Sequence, residues 1–164
     1  MNIIIDINKF DPNYVFFQTP VRNTIMENSN FVRIIYSTDY YVLSNILLEV
    51  NFTMNGITKY FDKLRYYFVP DKNKEIIQHI GNLEKQILDR LNISGKTQVL
   101  RIHDQLISGN VKFYIEQSLD KAVPSNTESS ILFQRRYVLK ISGIWETSAP
   151  TNEYGLTYKF IEVI

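Results

Sequence analysis

The sequence predicts a mainly β domain with one long amphipathic helix. Two observations carry the strands. The 164 residues include 11 Tyr and 10 Phe beside many Ile and Val, and branched and aromatic side chains suit a pleated, half-buried surface. Apolar and polar residues also alternate with period two along several segments. The third observation is a single stretch, residues 72–91, in which apolar residues recur every three or four positions, the spacing of one helix face.

The first clear strand covers residues 42–54. Val42, Ser44, Ile46, Leu48, Val50, Phe52 and Met54 share one face, and Asn45, Glu49, Asn51 and Thr53 fall on the other, so this strand has a core side. Asn55-Gly56 follows at once. Both central residues of a tight hairpin turn take positive φ, which Asn and Gly tolerate, so an antiparallel return over residues 57–69 is predicted. Pro70-Asp71 closes that strand, and Asp71 is placed to cap the first amides of a helix. The helix is expected over residues 72–91, with Ile76, Ile77, Ile80, Leu83, Ile87, Leu88 and Leu91 in one stripe and Lys74, Gln78, Asn82, Lys85 and Asp89 pointing away; Gly95 ends it. Such a stripe packs a lone helix over an end or face of a sheet.

Residues 97–103 and 111–117 read as two strands joined at Ser108-Gly109-Asn110. A polar stretch without periodicity, residues 118–130 with Pro124, reads as a mobile loop. Strands over residues 131–145 and 154–164 complete the chain, connected by residues 146–153. No repeat or composition shift divides it, and residues 1–164 are expected as a single domain. The element order matches an OB-like five-stranded barrel with extra strands, whose helix lies between the third and fourth strands. An α+β antiparallel sheet with a helix on one face gives the same order.

Several chemistries are excluded or unsupported. The chain has no cysteine, so it has no disulfide, no thiolate metal site and no thiol nucleophile, and a reducing compartment fits it. Ile3-Ile4-Ile5 is broken by Asp6 and Asn8 and does not read as a secretory signal. No run approaches the ~18–20 apolar residues of a membrane span. The phosphate-loop, dinucleotide-turn, nucleophile-elbow and zinc-helix motifs are missing. His79 and His103 stand apart from carboxylate or cysteine spacings and read as ordinary boundary residues. The expectation is a protein that is not an enzyme, with no cofactor, no metal site and no membrane partner.

What stands out is the interleaving of cations with rings. Lys59, Phe61, Lys63, Arg65 and Tyr67 are expected on one face of one strand, opposite Tyr60, Leu64, Tyr66 and Phe68. Phe133, Arg135 and Tyr137 repeat the pattern, with Arg136 and Lys140 on the other side of their strand, and Lys112 with Tyr114 and Arg33 with Tyr36 extend it. Unstacked bases lie on aromatic faces while phosphates meet Lys or Arg. The expected nucleic-acid-binding set is Lys59, Phe61, Lys63, Arg65, Tyr67, Lys112, Phe133, Arg135 and Tyr137, and the expected partner is single-stranded nucleic acid. With 18 Lys and Arg against 17 Asp and Glu, an anion would have to be met by a local patch. Long cationic side chains also cover apolar sheet surface with their stems, which competes with the binding reading at each pair. Trp145, the sole tryptophan, is expected in the core.

The closing stretch Tyr137-Val138-Leu139-Lys140-Ile141-Ser142-Gly143-Ile144-Trp145-Glu146-Thr147, with Tyr154-Gly155-Leu156-Thr157-Tyr158-Lys159-Phe160, resembles a C-terminal cassette of small proteins of giant DNA viruses. It is similar to the terminal strand pair of their OB-fold single-stranded-DNA-binding proteins, which are like the phage replication type. The resemblance covers the last quarter of the chain. It implies protection and organisation of single-stranded DNA in viral replication, recombination or repair, in the host cytoplasm or viral factory, or packaged in the virion. Gly143 would permit a bend before Trp145, and Gly155 a close approach of the returning strand. Phe160-Ile161-Glu162-Val163-Ile164 is apolar where the phage-type binders carry an acidic recruiting tail, so tail-mediated recruitment is not implied. The alternative is a virion structural or assembly protein acting through protein contacts, with homo-oligomers formed through sheet edges.

Overall fold

The computed structural model describes residues 3–60, 63–114 and 127–162, with side chains described except at 59, 60, 63, 113, 114, 127–131 and 162. The strands are β1 Ile5–Asp6, β2 Val15–Phe17, β3 Val21–Arg22, β4 Ser29–Ser37, β5 Val42–Leu43, β6 Ile46–Tyr60 and β7 Lys63–Tyr67, then β8 Thr97–Gln98, β9 Asn110–Tyr114, β10 Thr127–Thr147 and β11 Glu153–Glu162. Two helices, α1 Lys74–Leu91 and α2 Arg101–Ile107, lie between β7 and β9 in the chain.

The strands form one 11-stranded sheet along the path β2-β4-β10-β6-β7-β9, with β11 added on β10. That path is open at both ends, which overturns the expected OB-like closed barrel. Among the described residues the terminal strands of the path, β2 and β9, do not pair with each other, so no ring of strands closes. The long strand β10 organises the sheet: its Tyr137–Ile141 segment lies between β6 and β11, and its Gly143–Thr147 segment pairs with β4, with β11 alongside as far as Glu146. Two short parallel pairs, β1 with β6 and β8 with β11, make an otherwise antiparallel sheet mixed. The fold is thus a mixed α/β arrangement, rich in strand.

Asn55-Gly56 does not turn. β6 runs straight through it, and β6 and β7 pair from Gly56↔Tyr67 to Tyr60↔Lys63, so the chain reverses only after Tyr60. An Asn-Gly pair makes a hairpin only if its flanks are free to pair with each other. Here the preceding flank is already held by β10, from Ile141↔Ile46 to Phe133↔Met54. The inward side chains of β6 change parity across this point. Phe52 and Met54 are buried, and beyond Gly56 it is Ile57, paired with the buried Tyr66, that packs on the core. The register against β10 slips at the same place, between Glu128 and Phe133.

Helix α1 follows its predicted stripe, burying Ile77, Ile80, Leu83, Ile87 and Leu88. Its start differs from expectation. A 3-10 turn, Pro70–Asn73, leads into it, and Asn73 takes the cap position that Asp71 is expected to fill. The Asn73 side chain serves the sheet: Oδ1 accepts from Thr53 N–H at 2.7 Å and Nδ2 donates to Thr53 C=O at 2.9 Å. One buried amide thereby satisfies both backbone groups of a strand residue. Asn73→Ala is expected to cost about 2 kcal/mol, read by urea unfolding, because it strands a donor and an acceptor. A parent-like midpoint would show that water replaces the amide. Asn92, at φ +41, is the C-cap, ahead of the predicted Gly95.

The predicted strand over residues 97–103 is overturned. Only Thr97–Gln98 is strand, and Arg101–Ile107 is helix α2. Ile102 and Leu106, one helical turn apart, are both fully buried. Glu84 of α1 accepts the N–H groups of Ile102 at 3.1 Å and His103 at 2.9 Å, satisfying amides that a helix start leaves open. α1 and α2 meet closely, since a Cβ at Gly81 would lie 2.6 Å from His103 Cδ2. Of the expected loop over residues 118–130, 127–130 already belong to β10, and 118–126 lie outside the described residues, as do 115–117 of the expected strand.

Candidate nucleic-acid interface

β7 and β9 pair antiparallel with Arg65 opposite Lys112 and Tyr67 opposite Asn110. Directly opposed residues share a sheet face, so two cations from distant parts of the chain stand side by side. Beside them opens a cleft of about 570 Å³, completed by Lys159, Tyr158 and Phe160 of β11 and by Arg101 and Gln105 of α2. Among the described residues four cations, Arg65, Arg101, Lys112 and Lys159, line it, and no carboxylate does. All four are solvent-exposed.

Two contacts order the α2 wall. The Arg101 guanidinium lies 3.9 Å from the centre of the Trp145 ring, which attracts it through the ring quadrupole. The Tyr158 hydroxyl donates to the Arg101 carbonyl at 3.2 Å and also bonds Gln105 Oε1. Burial, followed by the nearby Glu84 charge, pushes the Tyr158 hydroxyl up to about 12. It therefore stays a neutral donor at physiological pH.

The residues expected from the sequence divide. Arg65 and Lys112 line the cleft, and Tyr67, 37% exposed, flanks it opposite Asn110. Lys63 shares β7 with Arg65 and pairs with Tyr114. Lys59, expected on the same strand as these two, belongs to β6 instead, where it pairs with Leu64 while Arg65 pairs with Thr58. Phe61 lies outside the described residues. Phe133 is partly buried against the core, with Arg135 5.7 Å from its ring centre, and neither lines the cleft. Tyr137 is fully buried against Phe52 and Tyr66 and offers no ring to solvent. Trp145 is in the core as expected.

Arg101, Gln105, Tyr158 and Lys159 are absent from the set read from the sequence. Tyr158-Lys159-Phe160 carries the same ring-cation interleaving as the segments singled out, and that signal was legible. Arg101 had none, because its segment reads as strand.

No protein-family model, curated protein or solved structure matches the chain. Among the described residues no group of His, Asp and Glu is arranged to hold a metal ion, and no helix is long and apolar enough to cross a membrane.

Proposed function

We propose that the protein binds single-stranded nucleic acid through the cleft between β7, β9, β11 and α2. The observation that carries this reading is the gathering of Arg65, Arg101, Lys112 and Lys159 around one cleft without a carboxylate among its described lining residues, in a chain whose net charge is only +1. Anions are met by such local concentrations of charge. Tyr67, an exposed ring on the same strand as Arg65, stands beside the cations, the combination that a flexible strand of bases and phosphates requires. The C-terminal resemblance, which does not extend to the observed fold, adds the expectation of single-stranded DNA as the ligand, in viral replication, recombination or repair, with the protein acting in the host cytoplasm.

The test is fluorescence anisotropy of a labelled oligonucleotide of about 30 nucleotides, single- and double-stranded, across a salt series. Engagement of the four lining cations predicts a log-log salt slope of about −3 for the single strand. Binding that ignores salt, or that favours duplex, would sink the proposal.

A second reading, a virion structural or assembly protein, is favoured by a different observation. Phe16 and Val42, 51% and 66% exposed, lie on β2 and β5, which flank β4 at one end of the sheet. Exposed apolar residues at a sheet end can pair copies of a chain. A stable multimer without nucleic-acid affinity would favour this reading over the first.

A further inference from the structure

Glu84 sits behind the α2 wall of the cleft. It is 1% exposed, and it accepts hydrogen bonds from the backbone amides of Ile102 and His103. The ionisable groups around it are Arg101, His103 and Asp104 on α2 and Tyr158 on β11. Burial, the largest influence, with help from Asp104 and against the backbone amides, raises its carboxyl to about 7. It is also tied to the cleft through the backbone, because Ile102 and His103, whose amides it holds, directly follow the lining residue Arg101 on α2.

We infer that Glu84 is a proton-linked regulator of the cationic cleft: its carboxylate opposes a bound phosphate chain, its neutral form does not, and oligonucleotide binding and Glu84 protonation therefore favour each other. The inference rests on the nucleic-acid reading of the cleft. Coupling of this kind is reciprocal, so a bound oligonucleotide raises the proton affinity of Glu84 by the factor with which the proton tightens the oligonucleotide. The same carboxyl acts on folding. Its folded-state value lies above the ordinary one, so the stability it contributes is complete below the ordinary carboxyl range and is lost as pH rises through about 7.

The experiment measures oligonucleotide affinity at constant ionic strength from about pH 6 to about pH 8 for the parent, Glu84→Gln and His103→Gln. The parent is expected to weaken about fivefold over this range, a coupling of ordinary size. Glu84→Gln should stay flat at the tight limit, and His103→Gln should keep the parent slope. A parent slope retained in Glu84→Gln overturns the inference and leaves the nucleic-acid reading standing. No binding at any pH overturns that reading, and the inference with it. Should Glu84→Gln fail to fold, carbon-13 NMR of the parent's Glu84 carboxyl decides: its midpoint must rise on adding the oligonucleotide, and an unmoved midpoint overturns the inference.

Discussion

Gly143→Ala is expected to cost about 3–5 kcal/mol of folding stability, at the severe end for one added methyl, because the clash is with backbone. A Cβ at this position would run into Phe31 Cζ and lie 2.6 Å from the Val32 carbonyl oxygen. A ring can rotate away. A carbonyl inside a paired strand cannot move alone. Gly143 is where β10 leaves β6, after Ile141↔Ile46, and takes up β4, at Gly143↔Arg33. The register with β11 also slips between Ile141 and Gly143. Displacing β4 there would disturb Val32 and Ile34, both buried in the core. Urea unfolding reads the loss, and a parent-like midpoint would mean that β4 moves aside at little cost.

The largest effect on binding is expected from Arg65→Glu combined with Arg101→Glu, which should weaken single-strand affinity by about 100-fold or more and flatten the salt slope. The pair reverses two of the four lining cations, one on β7 and one on α2. Both are exposed, so the melting temperature should change little beyond the roughly 1 kcal/mol that the Arg101–Trp145 contact supplies. Arg136→Glu is the control. Arg136 lies 3.8 Å from Glu49 and away from the cleft, and its reversal should leave affinity within about threefold, as expected of one distant charge screened by salt. Equal losses in the control and the double variant would show that binding follows net charge, and the cleft would lose its assignment.

The cleft was half legible from its residues. Arg65 and Lys112 each stood beside a ring on a predicted strand, and those local patterns led to them. Their pairing across β7 and β9 was not legible, since register depends on which strands compete for each edge. Tyr137 shows the converse. Its alternation with Phe133 and Arg135 reads as one face, and that face passes into the core at Tyr137. Alternation tells which residues share a side of a strand, and it does not tell how far along that side solvent reaches.

Within single segments, the residues were enough to define the buried stripe of α1 and its end at Leu91, the inward face of β6 from Ile46 to Met54, and the burial of Trp145. Each follows from periodicity or side-chain size. Long-range packing set the rest: Asn55-Gly56 runs through as strand, residues 101–107 are helical, and the described ends of the sheet, β2 and β9, stay apart. It also set which cations meet. These outcomes depend on partners far away in the chain, β10 along β6 and the Glu84 carboxylate at the start of α2, and the free energy of a distant partner outweighs a local turn or strand preference of about 1 kcal/mol or less.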